Sequence, residues 1–275
     1  MAEAVNLSQS VRTNLLTLQR TSDLISTTQT RLSTGKKVNS AIDDAPAFFT
    51  ARALSNSASD LDSLKSNIDL AISTIQSAID GIDAITELVN QAKGLASNAK
   101  ATGDTNERST LAVQFNELLS QIDSLANDSS FNGTNLLQAS PDNLAVEFNS
   151  ANTSNLTITG LDATTASTGI NIAVAANNFG LNANIDTAST AISSALTTLR
   201  SNASTMGSNN TILSTRLNFT ENLVNTLEGG EGKLTLADLN EESANLLALQ
   251  TRQQLGINSL ALAAQSERSI LALFG

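Results

Sequence analysis

A seven-residue repeat runs through the last third of this 275-residue chain and dictates how it must pack. Ile192, Leu199, Met206 and Leu213 recur at that step, Thr220 fills the next slot and Leu227 the one after. Leu196, Ala203, Leu217 and Val224 form the companion row, with Asn210 in the remaining slot. Two interleaved rows at steps of four and three place the apolar side chains on one narrow face, and a helix with such a face needs a partner helix. A lone polar residue in the row fixes register, the role expected of Asn210.

A second long pattern lies upstream. From about Phe48 to Ala99, the residues Ile68, Ile72, Ile75, Ile79, Ile82 and Val89 keep a four-three spacing, interrupted at Thr86. About fifty residues of helix span roughly 75 Å and must be covered by other helices. Thr102-Gly103-Asp104 ends this run, and a further helix carries Leu111, Phe115, Leu118, Ile122 and Leu125. Asn132-Gly133 signals a turn. Leu144, Val146 and Phe148 alternate with polar residues, as do Leu156 and Ile158, which predicts a β-hairpin across 143–159. Residues 160–184 are rich in Thr, Ala, Asn and Gly, with room for a short strand at 170–174, and helix returns near Asp186.

The two ends match each other in kind. Val11, Leu15, Leu18, Ile25 and Leu32 share one helical face, and Leu236, Leu239, Leu246, Ile257, Leu260 and Leu271 are read in the same way. The first helix should end at Thr34-Gly35, where Gly serves as a C-cap and Lys36 and Lys37 suit the negative helix end. Asp43, Asp44 and Pro46 are placed to start the next helix. Glu228-Gly-Gly-Glu-Gly232 reads as a flexible joint, with the last helix beginning near Leu234 and Asp238 in its first turns.

The expected fold is therefore mainly α: long antiparallel coiled-coil rods from both chain ends, with a small β-hairpin region in the middle. First pairs with last and second with second-to-last. The division is an inner terminal-helix domain (1–34 and 234–275), connectors (35–46 and 228–233), a helical rod domain with the hairpin (47–160 and 185–227), and a short surface-exposed segment (161–184). Five apolar side chains on the first helix are few against the entropy of ordering it, so the terminal pair is expected to gain its order from neighbouring molecules.

Composition narrows the chemistry. The absence of His and Cys removes most metal sites, Ser-His-Asp and Cys-His triads and any disulfide framework. No pair of carboxylates stands out as acid and base, and no cofactor is expected. Gly229-Gly230-Glu231-Gly232 lacks the Lys-Ser/Thr that completes a phosphate loop. The net charge is −11, and no Lys or Arg occurs between Arg108 and Arg200. Such an acidic surface repels nucleic acid and anionic membrane, so neither is an expected partner. Charged residues make up 15%, against about 25% in ordinary globular proteins. Uncharged polar helix faces lose less hydration energy when buried against another subunit. The pattern describes an assembly subunit rather than an enzyme.

The run Arg31-Leu-Ser-Thr-Gly-Lys-Lys-Val-Asn-Ser-Ala-Ile-Asp-Asp-Ala-Pro46, continuing to Ala51-Arg52-Ala53-Leu54, resembles the N-terminal signature of bacterial flagellins. Arg31, Leu32, Gly35, Asn39, Asp43, Asp44 and Arg52 carry the likeness. Phe131-Asn132-Gly133 adds to it, as do Leu239-Asn-Glu-Glu-Ser243, Ser259 to Gln265 and Ile270-Leu-Ala-Leu-Phe274 near the C-terminus. The resemblance spans about residues 1–140 and 186–275, and compact relatives of this kind point to alphaproteobacteria.

It implies a self-assembling subunit of the flagellar filament, extracellular and exported unfolded without signal cleavage. The partners it implies are further copies or paralogous flagellins, hook–filament junction and cap proteins, and an export chaperone. Val11, Leu15, Leu18, Ile25, Leu32, Leu246, Ile257, Leu260, Ile270, Leu273 and Phe274 would pack the inner helices. Ile68, Ile72, Ile75, Ile79, Ile82, Phe115, Ile192, Leu199, Met206 and Leu213 would form the rod core. Where many flagellins carry Q-R-V-R-E-L-A, bound by the animal Toll-like receptor for flagellin, this chain has Asn90-Gln-Ala-Lys-Gly-Leu-Ala96. Gln91 stands for the first Arg and Gly94 for the Glu, beside Lys93 and Leu95. The lost guanidinium and carboxylate imply weak activation of that receptor. A hook–filament junction protein is the alternative within the same class, and the Ile270–Gly275 ending favours flagellin. A soluble coiled-coil adaptor would explain the heptads but not the motifs at both ends.

Overall fold

The computed structural model describes residues 9–274, with residues 10, 267, 268 and 270–274 described by backbone alone. Helices α1 (Gln9–Thr34), α2 (Ala45–Ala101) and α3 (Thr105–Asp128) come first. Two antiparallel pairs follow, β1 (Ser130–Phe131) with β2 (Thr134–Asn135), and β3 (Asn143–Glu147) with β4 (Asn155–Thr159). A single 3-10 turn at Ala176–Phe179 leads to α4 (Asn182–Thr235) and α5 (Leu239–Phe274). The fold is mainly α with a small hairpin region, as the sequence predicts. Ala58–Asn225 form one compact unit, and the chain on both sides of it forms another.

Within the central unit, α2, α3 and α4 share one buried cluster. The α2 seam runs Leu64, Ile68, Ala71, Ile75, Ala78, Ile82, Ile85, Val89, Ala92, Ala96 and Ala99, alternating steps of four and three without a break. This corrects the expected row, which placed Ile72, Ile79 and Thr86 in the seam. Those three are half-buried on its flank, and Ile85 stands fully buried where the row was read as interrupted. The same one-residue offset occurs on α3: Ala112, Leu119 and Ala126 join Phe115 and Ile122 inside, while Leu111, Leu118 and Leu125 sit at the edge. Where three helices meet, alanines share the innermost positions with fully buried large residues such as Ile75, Ile85 and Phe115, and further large residues close the sides.

Two ion pairs mark the register of α2 against α4. Lys65 reaches Glu221 at 3.7 Å, and Lys100 pairs with Asp186. From 65 to 100 and from 221 to 186 are thirty-five residues each, five heptads on two antiparallel helices. Both pairs are half-exposed and contribute little energy, but they report an unbroken ladder. Ile192, Leu199, Met206 and Leu213 line its α4 side, all buried. Asn210 Oδ1 is buried in this stretch with no hydrogen-bond partner among the described residues. An unmet acceptor costs about 1–3 kcal/mol, and a polar residue that specifies register in a helical seam does so at such a cost.

The hairpin region closes one end of this cluster. Asn132 (φ 50°) and Gly133 (φ 81°) form the left-handed two-residue turn between β1 and β2. Buried Asn135 donates from Nδ2 to the carbonyls of Ala126 and Asn127, both at 2.9 Å, capping the end of α3. Val146 and Ile158 turn inward from β3 and β4.

The segment 161–184 departs from the expected surface-exposed segment with room for a short strand at 170–174. Ala163, Thr164, Ile170, Ile172, Ala175 and Phe179 are buried, and 170–174 forms no strand. Its backbone is held by side chains of α3 instead of a β-partner: Thr165 N donates to Asp123 Oδ1 at 2.7 Å, and Ala175 N to Asn116 Oδ1 at 2.8 Å. Asn177, Asn178 and Phe179 take φ of 48°, 49° and 58°, one turn of left-handed helix. That geometry costs a phenylalanine about 1–3 kcal/mol, offset by its complete burial edge-on against Phe115, 5.2 Å between ring centroids.

The expected joint at 228–233 is helical. α4 runs through all three glycines to Thr235, and Leu236 N still donates to Gly232 O at 2.8 Å. Thr235 stays inside the helix, its hydroxyl donating back to Glu231 O at 2.9 Å, and α5 starts at Leu239, capped by Asp238, rather than near Leu234.

Two glycines of α2 make opposite predictions. A Cβ at Gly81 would lie 2.5 Å from Ser129 Oγ and 2.7 Å from Leu137 Cδ1, whereas one at Gly94 would meet nothing within 4 Å. Gly81→Ala should therefore destabilise the central unit by about 1–3 kcal/mol despite better helix propensity. Gly94→Ala should stabilise it by about 0.5–1 kcal/mol. Thermal unfolding followed by circular dichroism checks both signs.

Candidate functional site: the terminal helices and their connectors

The carboxyl ends of α1 and α4 are tied by a short antiparallel ladder. Gly35 turns the chain out of α1 at φ 70°, its N–H returning to Arg31 O at 2.8 Å. Lys37 N then donates to Thr235 O at 2.7 Å, and Ala237 N to Gly35 O at 3.0 Å. Lys37 Nζ donates to Lys233 O at 3.1 Å, placing a cation at the negative end of α4.

Each acidic residue of the signature has a structural task here. Asp43 Oδ2 accepts the N–H groups of Ser40 (2.9 Å) and Asn39 (3.0 Å) and the Ser40 hydroxyl (3.1 Å), closing the connector on itself. Asp44 Oδ1 caps α2 through Ala47 N at 3.0 Å, and Asp238 Oδ1 caps α5 through Asn240 N at 2.9 Å. Arg31 Nη1 pairs with Glu242 Oε1 at 3.0 Å, joining α1 to α5. Glu242 is buried, so this pair, unlike a surface one, leaves an uncompensated charge if its cation is removed. Asn39 Nδ2 donates to Thr34 Oγ1 at 3.0 Å, while Arg52 is exposed on the early turns of α2. Arg31, Lys37, Asp43, Asp44, Asp238 and Glu242 border a cleft of about 490 Å³, and among the described residues no group of side chains is arranged to hold a metal ion.

The terminal pair meets along a thin seam. On α1 it comprises Val11, Leu18, Thr21, Ile25, Thr28 and Leu32; on α5, Glu242, Leu246, Leu249, Gln253, Gly256 and Leu260. Both sets alternate steps of three and four, apart from one seven-residue step between Val11 and Leu18. Leu15 is half-buried beside it. Thr21, Thr28, Gln253 and Gly256 escape an apolar-stripe reading, although extending the heptad from Val11 and from Glu242 reaches them. Thr21 satisfies its hydroxyl on Thr17 O at 2.8 Å. A Cβ at Gly256 would lie 2.8 Å from Leu18 Cδ2, so the glycine sets how closely the helices approach.

Ile257, read as part of the α5 stripe, is 48% exposed and lies off the seam, and Leu239 is exposed too. Leu236 precedes the helix and is also exposed. Leu16, Leu24, Leu247, Leu255 and Leu262 add further exposed apolar surface to the two helices. Ile270, Leu273 and Phe274 lie outside the described side chains. In the central unit Gln91, Lys93 and Gly94 are exposed on α2, with Leu95 half-buried. Ile68, Ile75, Ile82, Phe115, Ile192, Leu199, Met206 and Leu213 come together in the core, with Ile72 and Ile79 packed against it.

The comparisons with known proteins match this arrangement at both ends. The bacterial flagellin N-terminal helical region matches residues 5–142, and the bacterial flagellin C-terminal helical region matches residues 189–274. The chain belongs to the bacterial flagellin family. It is 33% identical to flagellin FljK of Caulobacter vibrioides over 278 aligned positions, covering 98% of each chain. A flagellin of Brucella melitensis is 29% identical, with 96% of both chains covered. The crystal structure of Bacillus cereus flagellin aligns at a TM-score of 0.48 and 19% identity, covering 56% of this chain and 88% of that one. Flagellins are structural proteins rather than enzymes, and this chain is a structural subunit of the flagellar filament of alphaproteobacterial type. Nothing in the comparisons favours the junction-protein alternative. Among the described residues no helix is long and apolar enough to cross a membrane.

The connector carries a pH prediction. The backbone N–H of Ser40, then that of Asn39, the Ser40 hydroxyl and the charge of Arg31 hold the Asp43 carboxyl below the ordinary aspartate value. A lowered folded-state value means that its contribution is fully present above the ordinary value and disappears as pH falls through the lowered one. Asp43→Asn should therefore lower the stability of the terminal unit at neutral pH, with the difference from wild type fading below about pH 4. Urea unfolding at several pH values checks this, and a difference that grows on acidification would contradict it.

Proposed function

We propose that α1 and α5 are the polymerising element of this filament subunit. The observation that carries the reading is apolar surface left outside the seam: Leu16, Leu24, Leu247, Leu255, Ile257 and Leu262 are each between 48% and 71% exposed. A pair of helices that buries one face and presents leucines on others is stabilised by further helices, and the family supplies them as copies of the same chain. In the filament the terminal pairs line the inner tube, and the bundle with its hairpin forms the outer tube. The segment around Val174 and Leu181 reaches solvent. The same reading extends to export without signal cleavage and to contacts with cap, junction and export-chaperone proteins. Gln91 and Gly94 lie exposed on the outer unit, where the missing charges predispose it to weak Toll-like receptor engagement.

Electron microscopy of purified monomer mixed with short filament seeds tests the reading. Wild type should grow long uniform filaments. Leu24→Ser with Leu255→Ser should abolish growth while the helical signal of the central unit persists, and deletion of 1–32 or 236–275 should do the same. Filaments of normal length from the double serine variant would overturn the assignment. Capping of filament or hook ends without growth would indicate a junction protein.

A further inference from the structure

Asn132 and Gly133 form the one Asn-Gly dipeptide of the chain, at the tip of the β1–β2 turn. Both residues are exposed, at φ 50° and 81°. Two residue pairs, Ser130 with Asn135 and Phe131 with Thr134, hold the strands that carry them. A strand pair that short adds little stability of its own, so its tip opens and recloses readily. Among the described residues, neither the Asn132 side chain nor the Gly133 N–H has a hydrogen-bond partner. A Cβ at Gly133 would meet nothing within 4 Å, so the space around the glycine is open.

The chain's other asparagines lack this combination. Asn152, Asn171, Asn177 and Asn178 share the positive φ but precede Thr, Ile, Asn and Phe, whose side chains shield the next nitrogen. Asn39 and Asn149 precede serines, yet their amides are engaged. Asn39 Nδ2 donates to Thr34 Oγ1 at 3.0 Å, and Asn149 Oδ1 accepts the N–H groups of Thr153 (3.0 Å) and Ser154 (3.2 Å). Asn56 and Asn258, also followed by serine, lie inside α2 and α5, where the next N–H belongs to the helix ladder.

We propose that Asn132 is a site of spontaneous covalent modification, where the chain converts its own amide to an acid and so records its age. The Gly133 nitrogen bonds to Asn132 Cγ and the Cγ–Nδ2 bond breaks. Nδ2 leaves as ammonia, taking up the proton that the Gly133 nitrogen gives up. Water then opens the cyclic imide, and the glycine nitrogen regains a proton from it. Addition of water at Cγ gives aspartate; addition at the Asn132 main-chain carbonyl gives isoaspartate, with the chain running through the side-chain carbon. The reaction needs only this chain and water, so it is independent of the filament reading. Either product adds a carboxylate to the stretch between Arg108 and Arg200 that has no cation. It stands on the groove of about 260 Å³ that Asn132 and Thr134 share with Glu147. Isoaspartate also lengthens the backbone of a two-residue turn by one carbon, which disturbs β2, where buried Asn135 caps α3.

Storage of the purified full-length chain at neutral and at mildly alkaline pH, sampled for several weeks, tests the proposal. Mass spectrometry of peptic fragments locates each amide-to-acid exchange, and enzymatic carboxyl methylation counts isoaspartate. Asn132 should convert at least about tenfold faster than any other asparagine. Conversion should be faster at the higher pH, because the attacking group is the deprotonated nitrogen. Gly133→Asn keeps a residue that tolerates the left-handed turn but places a Cβ beside the attacking nitrogen. It should slow conversion at 132 about tenfold or more, with the helical circular dichroism unchanged. The isoaspartate-bearing fraction, separated by chromatography, should unfold at a lower temperature than Asn132→Asp, which carries the same charge on an intact turn. Another asparagine converting first, an Asn132 amide that persists, or a Gly133→Asn rate equal to wild type would overturn the proposal. Equal unfolding of the isoaspartate fraction and Asn132→Asp would overturn its effect on the turn.

Discussion

Two helices packed along a single heptad seam bury only about two of every seven side chains, and the terminal helices of this chain fill much of that seam with polar or small residues. Thr21, Thr28, Gln253 and Gly256 occupy positions where leucine or isoleucine would contribute most. Meanwhile Leu24, Leu247, Leu255 and Leu262 stand outside it. The apolar surface is thus misplaced for a self-sufficient pair and correctly placed for a many-helix assembly. Arg31–Glu242 and the ladder between Lys37 and Thr235 fix where the two helices begin to run together, without supplying the burial they lack.

The central unit is built on the opposite balance. Its α2 seam alternates isoleucine with alanine from Ile68 to Ile82 and continues through Ile85 and Val89 to alanines 92, 96 and 99, and almost every member is fully buried. Alanine brings the helices close, and the displaced large residues, Ile72, Ile79, Leu111 and Leu118, wall the sides. A unit of this kind is held by burial of its own side chains. Local costs are tolerated where burial exceeds them, as with the left-handed Phe179 against Phe115.

Much of this was legible in the sequence because heptads, caps and tight turns are local. The end of α1 at Gly35, the hairpin over 143–159 and the cap residue Asp44 follow from short patterns with a direct physical cause, whereas Asp43, read with it as starting α2, closes the connector on itself instead. The flagellin motifs at both ends identified the family for the same reason. What escaped the sequence depends on partners in space. Periodicity alone could not tell Ala71 from Ile72 as the inner residue, because that choice is made by a third helix. The embedding of 161–184 rests on Asp123 and Asn116, some forty and sixty residues away, which no local pattern announces. Glycines read as a break, yet α4 passes through Gly229–Gly232, since a glycine costs a helix only about 1 kcal/mol and does not by itself end it. At the polymerising surface, leucine content was readable, but which leucines face away from the seam was not.

The central claim is that the terminal helices gain their stability from neighbouring copies, while the central unit has its own. Hydrogen exchange of the same chain, first as dilute monomer and then in grown filaments, tests it most directly. Amides of Ile68–Ala99 and Ile185–Leu213 should be slow in both states. Those of Val11–Thr34 and Leu239–Leu262 should exchange at least about a hundredfold faster in the monomer than in the filament, equivalent to about 2.7 kcal/mol of ordering supplied by assembly. Equal protection of the terminal helices in both states would contradict the account.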